Sequence, residues 1–286
     1  MNPTELHELI NDPLVTPRVA VENLLLVNLG LRLCSQTTIP AELPSSQSMG
    51  EAIDARFKPR LEKLRAMQDK KAKIREIGEI RKGMASAFDE IVEGSVEYKA
   101  LSSWSKKLGL RFNQIEVRPT VHEFYLYREK DNLKELQRLM QERGRLRVEA
   151  VKKPNPSRGQ LQFAYPEEFS SDWIHRMGRL LGYPICCVDR YASDREQGIN
   201  VEARAAAQLK ELTTAPNPHV YLASYFFPCS PSCLKAMEKG ELYHLKLSEA
   251  LPEAGEAYEA IIHENPDRVR RQPEIIGEYL SKLRGV

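Results

Sequence analysis

Two pairs of cysteines constrain the fold of this chain more than any other feature of its sequence. Four of the five cysteines lie within residues 186–233, as the vicinal pair Cys186 and Cys187 and the CxxxC pair Cys229 and Cys233. Each pair lies beside a proline, which is favoured in the first turn of a helix because it has no N–H to leave unpaired. The sequence therefore predicts two helix starts that carry thiols. A shared site would require a fold that brings both starts together.

The expected positions of these cysteines predict an electropositive environment. With Pro184 as the first helical residue, Cys186 and Cys187 would lie at the end of the first turn. With Ser230 as the N-cap of a second helix, Cys233 would lie in its first turn. The free N–H groups and the positive dipole end of a helix N-terminus stabilise thiolates and lower the pKa of a thiol.

Clustered thiols of this kind fit two sorts of metal site. Zinc takes four nitrogen or sulfur ligands in a tetrahedron, and iron–sulfur clusters are held by thiolates. The predicted cofactor is an iron–sulfur cluster or zinc. The cluster is favoured because adjacent helical residues project about 100° apart, so that Cys186 and Cys187 would not easily reach one small ion. If three cysteines bind, His219 is a candidate fourth ligand; otherwise it is a turn residue after Pro218.

Three basic residues near the cysteines are candidates for binding a small anionic substrate or ligand. They are His175, Arg179 and Arg190. The competing interpretation places His175 on a solvated surface and pairs the two arginines with helix-surface acids such as Asp189 and Asp194. The sequence contains no motif that identifies a reaction, so it leaves open whether the protein is an enzyme.

Other functions remain open for the same residues. The cysteines could form a thiol–disulfide redox pair, or they could fill space in a core, since cysteine is often buried. Cys34 is expected to be a core thiol. A third function is non-catalytic binding of a protein partner by the charged amphipathic helix predicted around residues 59–92.

Charge and hydropathy exclude some classes of partner. The chain has 42 basic and 40 acidic side chains and a net charge of +2, a balance that argues against a large nucleic-acid interface. The N-terminus lacks the features of a signal peptide, and the most apolar stretch, residues 19–34, contains polar and charged residues. We therefore expect a soluble, cytoplasmic protein with no membrane partner, in a compartment where thiols stay reduced.

The patterns along the chain predict a mainly helical α+β fold, with a small central mixed sheet followed by a helical cysteine domain. Aromatic and β-branched residues, with partial alternation, predict strands at 112–117 and 121–127. Two more strands are predicted at 146–151 and 160–164, joined by the turn-forming residues 154–159. A helix over 132–142, closed by Gly144, lies between the two pairs of strands.

These elements suggest four segments along the chain. They are an N-terminal helical segment (1–50), a long amphipathic helix or helical hairpin (51–110), a small α+β unit (111–166) and the helical cysteine domain (167–286).

Two stretches around the cysteines resemble a known family. Gly178-Arg-Leu-Leu-Gly-Tyr-Pro-Ile-Cys-Cys-Val-Asp-Arg-Tyr191 and Ser224-Tyr-Phe-Phe-Pro-Cys-Ser-Pro-Ser-Cys-Leu-Lys-Ala236 are similar to segments of DUF483, an uncharacterised and largely archaeal family. The resemblance covers the C-terminal region. It implies that the four cysteines act together and carries no activity with it.

Overall fold

Helices form most of the structure, a computed structural model that describes residues 2–159 and 161–284. The helices are Pro3–Ile10 (α1), Leu26–Asn28 (α2), Ser46–Ala66 (α3), Lys70–Phe88 (α4), Val96–Lys107 (α5), Lys130–Lys152 (α6), Leu161–Ala164 (α7), Ser171–Leu180 (α8), Ile185–Glu196 (α9), Val201–Lys210 (α10), Leu234–Ala250 (α11) and Pro252–Arg284 (α12). Short π-helical turns (Val19–Leu25 and Asp89–Glu93) and 3₁₀ turns (Pro156–Arg158, Pro166–Phe169 and Pro218–Tyr221) lie between them.

A three-stranded antiparallel sheet lies in the N-terminal half of the chain. Its strands are Cys34–Ile39 (β1), Arg111–Arg118 (β2) and Val121–Tyr127 (β3), in the order β1-β3-β2. The β2–β3 hairpin follows from its aromatic and β-branched residues, and the rings of Phe112 and Phe124 stack with centroids 4.9 Å apart. The prediction of a mainly helical α+β fold is confirmed.

Two of the predicted strands are helical in the structure. Residues 146–151 belong to α6, and the described part of 160–164 is the short helix α7, residue 160 lying outside the described residues. Six alternating residues are too few to separate a period of two from a helical period. Gly144, which we expected to end the helix, lies inside α6 without a positive φ, so α6 continues to Lys152.

The chain divides into two compact units. The first consists of Met1–Asn28 and Ser35–Arg128, and the second of Leu29–Cys34 and Glu129–Val286. In the first unit, the π-helical turn Val19–Leu25 is buried along its whole length and forms part of the core. The indole N–H of Trp104 on α5 donates to Asp12 at 2.6 Å, which ties α5 to the N-terminal part of this unit.

Helices α3 and α4 of the first unit form an antiparallel hairpin, which begins at Ser46, before the predicted 51–110 segment. The Arg60 guanidinium donates to Glu76 at 2.9 Å, and Arg56 pairs with Glu90 at 2.8 Å. The Arg60–Glu76 pair joins α3 to α4, whereas the Arg56–Glu90 pair joins α3 to the π-helical turn Asp89–Glu93 that follows α4. The proposal that residues 59–92 bind a protein partner stays a prediction.

The second unit is helical and contains the four clustered cysteines. Its helices α6 and α8 are joined by Arg176, which pairs with Glu135 at 2.7 Å and Glu142 at 2.8 Å. Helices α11 and α12 pack against each other and against the 3₁₀ turn Pro218–Tyr221. Among the described residues of both units, no helix has the length and apolar composition needed to cross a bilayer.

Candidate metal centre

A turn that contains Gly182 connects α8 to the first cysteine pair. The Tyr183 N–H donates to the Gly178 carbonyl at 2.9 Å, and the Gly182 N–H donates to the Arg179 carbonyl at 3.1 Å. Gly182 has a φ of 72°, which glycine adopts without the steric cost that a side chain would bring. The two hydrogen bonds and this φ define a Schellman ending, as expected for a helix closed by glycine.

The vicinal cysteines lie in the first turn of α9. Pro184 is the N-cap with a ψ of 135°, and the Cys187 N–H donates to its carbonyl at 2.9 Å. Because α9 begins at Ile185, Cys186 and Cys187 are its second and third residues. The sequence placed Pro184 one position further into the helix, but the prediction that both thiols occupy the first turn is confirmed.

The second pair flanks a tight turn before α11. The Cys233 N–H donates to the Ser230 carbonyl at 3.2 Å, so Pro231 occupies the second position of a turn and not the first position of the helix. Proline suits both positions because each needs a φ near −65°. Helix α11 begins at Leu234 with Cys233 as its N-cap. The prediction that Ser230 caps this helix is therefore wrong by one turn.

The fold brings the four sulfurs into one group. The Sγ atom of Cys233 lies 3.7 Å from those of Cys186 and Cys187, which are 4.0 Å from each other. The Sγ atom of Cys229 completes the group, in which all four ligand atoms lie within 4.8 Å of one another. The predicted convergence of the two pairs is confirmed, and the group could bind a metal.

Burial places this group between the core and the surface. Cys187 and Cys233 are buried, with 2% and 7% of their surface exposed, whereas Cys186 and Cys229 are half-buried. The N-cap residues of the two helices are Pro184 and Cys233, so neither helix start is capped by a side-chain oxygen. The unpaired N–H groups and the dipoles of both helices can therefore act on the sulfurs.

The thiols differ in how readily they ionise. Burial raises the pKa of Cys187, against the effect of the Cys229 N–H that donates to its sulfur at 3.4 Å. Burial, followed by the neighbouring Cys233, raises the pKa of Cys229 to about 11. Burial also acts to raise the pKa of Cys233, but hydrogen bonds from the Ala236 N–H and the other three thiols outweigh it and lower the value.

Helix α10 supports the segment that carries Cys229. Arg204 donates to the Pro228 carbonyl at 2.8 Å and to Asp194 at 2.9 Å, and Gln208 donates to the Cys229 carbonyl at 3.3 Å. Sequence reasoning did not identify Arg204 or Gln208. Their spacing of four on an alanine-rich helix was an available indication, because it places two polar side chains on one face.

The other candidate residues are placed as follows. His175 contacts Asp189 at 2.9 Å, and Arg190 pairs with Asp194 at 2.9 Å, while Arg179 is exposed. The Arg190–Asp194 pair is one that the competing interpretation expected, and a role of these three residues in binding an anion stays a prediction.

His219 lies with a second set of side chains. Its imidazole lies near His244 and Glu259, and the ligand atoms of these three residues are within 4.8 Å of one another. Among the described residues, the cysteine group consists of the four cysteines and does not include His219. Cys34 is 1% exposed, and burial raises its pKa to about 12, as expected of a core thiol.

The chain matches no curated protein and no solved structure. A family model does match the region that holds the cysteines. The two segments that resemble the family, residues 178–191 and 224–236, both lie within the matched region. The predicted resemblance is therefore confirmed for this region. Residues 169–252 match DUF483, which is described as a protein of unknown function.

Proposed function

We propose that the protein binds a single zinc ion through Cys186, Cys187, Cys229 and Cys233. The observation that carries this proposal is the spacing of the sulfurs. With Zn–S bonds of about 2.3 Å, the sulfurs of a tetrahedral site stand about 3.8 Å apart. The sulfurs of Cys186, Cys187 and Cys233 are separated by 3.7, 3.7 and 4.0 Å.

The same spacing favours one ion over an iron–sulfur cluster, the cofactor that the sequence favoured. A cluster distributes its thiolates over several irons, so most of its sulfur–sulfur separations exceed those around one ion. Three sulfurs in mutual contact, with the fourth within 4.8 Å, fit the ligands of one ion. Tetrahedral coordination by four sulfurs is also the arrangement typical of structural zinc.

The vicinal pair fits this proposal because the sulfur of Cys233 lies equally close to the sulfurs of Cys186 and Cys187. Side chains of adjacent helical residues diverge by about 100°, which argued against both reaching one ion. In the structure, the sulfurs of Cys186 and Cys187 are 4.0 Å apart, and that of Cys233 lies 3.7 Å from each. An ion between these three atoms and Cys229 would not require the two side chains to change direction.

A site with four thiolates acts as a structural centre. The four sulfurs fill the tetrahedron and leave no position for water or an anionic substrate, unlike catalytic zinc sites with three protein ligands. The ion would join the start of α9 to the turn before α11. The cytoplasmic location predicted from the sequence would keep the ligands reduced.

A redox function is the second candidate, and one observation favours it. Cys233 combines a lowered pKa with two sulfurs at 3.7 Å, and the thiolate is the nucleophile in disulfide exchange. A reversible Cys187–Cys233 disulfide in metal-free protein would support this function.

Metal analysis of anaerobically purified protein tests the two functions. We expect zinc without acid-labile sulfide, and a Cys233→Ser variant that loses a zinc ion. Cys34→Ala is the matched control, since Cys34 is a buried thiol outside the group, and it should keep the wild-type content. Iron with labile sulfide, or four freely titrating thiols in metal-free protein, would contradict the proposal.

A further inference from the structure

A second group of potential ligands lies apart in sequence from the cysteine pairs. His219 belongs to the 3₁₀ turn Pro218–Tyr221, His244 to α11 and Glu259 to α12. Their ligand atoms lie within 4.8 Å of one another. Two imidazoles and one carboxylate, brought together from three elements, are a set that divalent transition metals bind.

The two imidazoles point at the same carboxylate oxygen without bonding to it. The Nε2 atoms of His219 and His244 lie 3.7 and 3.8 Å from Oε2 of Glu259. Both distances exceed the reach of a hydrogen bond. Ligands around one tetrahedral zinc, with bonds of about 2.0–2.2 Å, stand about 3.3–3.6 Å apart. The observed separations are close to that range, so an ion could occupy the space between these atoms after a small adjustment.

Two buried polar atoms in this group are without a partner. His219 Nδ1 and Glu259 Oε2 have no hydrogen bond to any described part of the chain. A buried polar atom without a partner costs free energy, and such atoms are rare in folded proteins. A metal ion bound to Oε2 would remove that cost for the carboxylate.

The other oxygen of Glu259 is held by a neighbouring histidine. His263 lies one turn further along α12, and its Nε2 atom contacts Oε1 at 3.1 Å. This contact leaves Oε2 facing the two imidazoles. Hydrogen bonds from outside the ligand set commonly orient carboxylates and histidines in metal sites. His263 would therefore act as a positioning residue that orients the Glu259 carboxylate.

The turn that carries His219 is fixed against α11 and α12. Tyr258 donates to the Leu222 carbonyl at 3.1 Å and Asn265 to the Tyr221 carbonyl at 2.8 Å, both from α12. On α11, a side chain at Gly240 would collide with the carbonyl of His219. The backbone around His219 is thus held without the ion.

From these contacts we infer that His219, His244 and Glu259 bind a second divalent transition-metal ion. Two imidazoles and one carboxylate leave the fourth position to water, the composition found in catalytic zinc sites. This site differs in chemistry from the four-thiolate site, and it does not depend on that proposal.

Titration of the full-length protein with zinc, followed by native mass spectrometry, tests the inference. We expect about two zinc ions per chain in the wild type and about one in His244→Ala and in Glu259→Gln, with His263→Ala binding the second ion roughly 10–100-fold more weakly. His7→Ala is the control, because His7 on α1 belongs to neither group. Glu259→Gln keeps the size of the side chain, so it reports on ligation even if His244→Ala folds poorly.

Cobalt as the probe separates this inference from the proposed zinc site. Cobalt bound to thiolates gives an intense sulfur-to-metal charge-transfer band, which nitrogen and oxygen ligands do not give. One cobalt with this band, unchanged in Glu259→Gln, would overturn the second site and leave the cysteine site standing. One cobalt without the band, lost in Glu259→Gln, would support the second site and contradict the first.

Discussion

At the proposed zinc site, the protonation of individual cysteines would control how readily the metal binds. Zinc binds thiolates, so each protonated thiol must release its proton on binding. Burial raises the pKa of Cys187 and brings that of Cys229 to about 11, so both are protonated at neutral pH. The lowered pKa of Cys233 makes it the thiol that binds a metal with the least competition from protons.

We predict that zinc binding at pH 7 releases at least two protons per ion at the cysteine site. The apparent affinity should then rise at least about 100-fold for each pH unit between about pH 6 and 8, because each released proton adds a factor of ten. Calorimetry in buffers of different ionisation enthalpy measures this number. Cys34→Ala should not change it, and binding without proton release would show that these thiols are not ligands.

The raised pKa of Cys229 makes the stability of the metal-free protein fall as the pH rises, whereas metal affinity would increase. The folded state holds the Cys229 proton more tightly than the unfolded state does. Its contribution to stability is therefore present below the unfolded value of about 9 and is lost as the pH rises through about 11. Alkaline pH would thus favour binding at the proposed zinc site and weaken the metal-free protein.

Residues with local signals were predicted from the sequence, and those defined by distant contacts were not. The first-turn position of Cys186 and Cys187 follows from Pro184, which lies two residues before Cys186 in the chain. The association of His219 with His244 and Glu259 depends on the packing of three elements, and nothing in the local sequence specifies it.

At the scale of elements, close packing of α8 on α9 positions the first cysteine pair. A Cβ atom added at Gly178 would lie 2.6 Å from a methyl group of Val188, the residue that follows Cys187. The absence of a side chain at Gly178 lets the two helices approach. This contact therefore fixes the part of α9 that carries the thiols.

We predict that Gly178→Ala destabilises the second unit by about 1–3 kcal/mol, the usual cost of overpacking a core. Adding Val188→Ala should restore part of the loss, because it removes the methyl groups in the way. Chemical denaturation of the single and double variants measures both effects.

Gly144→Ala is the matched control for that prediction. Gly144 is also helical, but a Cβ atom there would meet nothing within 4 Å. The higher helix propensity of alanine should then stabilise the protein by up to about 1 kcal/mol. Equal effects at Gly144 and Gly178 would contradict the packing account.

Elements were predictable where their pattern was long or rich in β-branched and aromatic residues. The hairpin β2–β3 has both, and it was predicted close to its observed bounds. Strand β1, Cys-Ser-Gln-Thr-Thr-Ile, was missed because it has few apolar residues and lies beside β3 only through long-range pairing. The end of α6 was misplaced for the opposite reason, since a short alternation resembled a strand inside a helix.

At the scale of the whole molecule, the proposed zinc ion links distant parts of one unit. The start of α9 and the turn before α11 are separated by α10 and the loop that follows it, and both belong to the second unit. Structural zinc contributes to folding free energy directly. The ion would therefore stabilise the second unit, which holds all five cysteines.

X-ray absorption at the metal edge tests the central claim most directly. The Glu259→Gln variant is the suitable sample, because its remaining metal would report on the cysteine site alone. We predict a zinc edge, about four sulfur neighbours at about 2.3 Å and no second metal in the next shell. An iron edge with iron neighbours, or a first shell of nitrogen and oxygen, would contradict a single zinc ion held by Cys186, Cys187, Cys229 and Cys233.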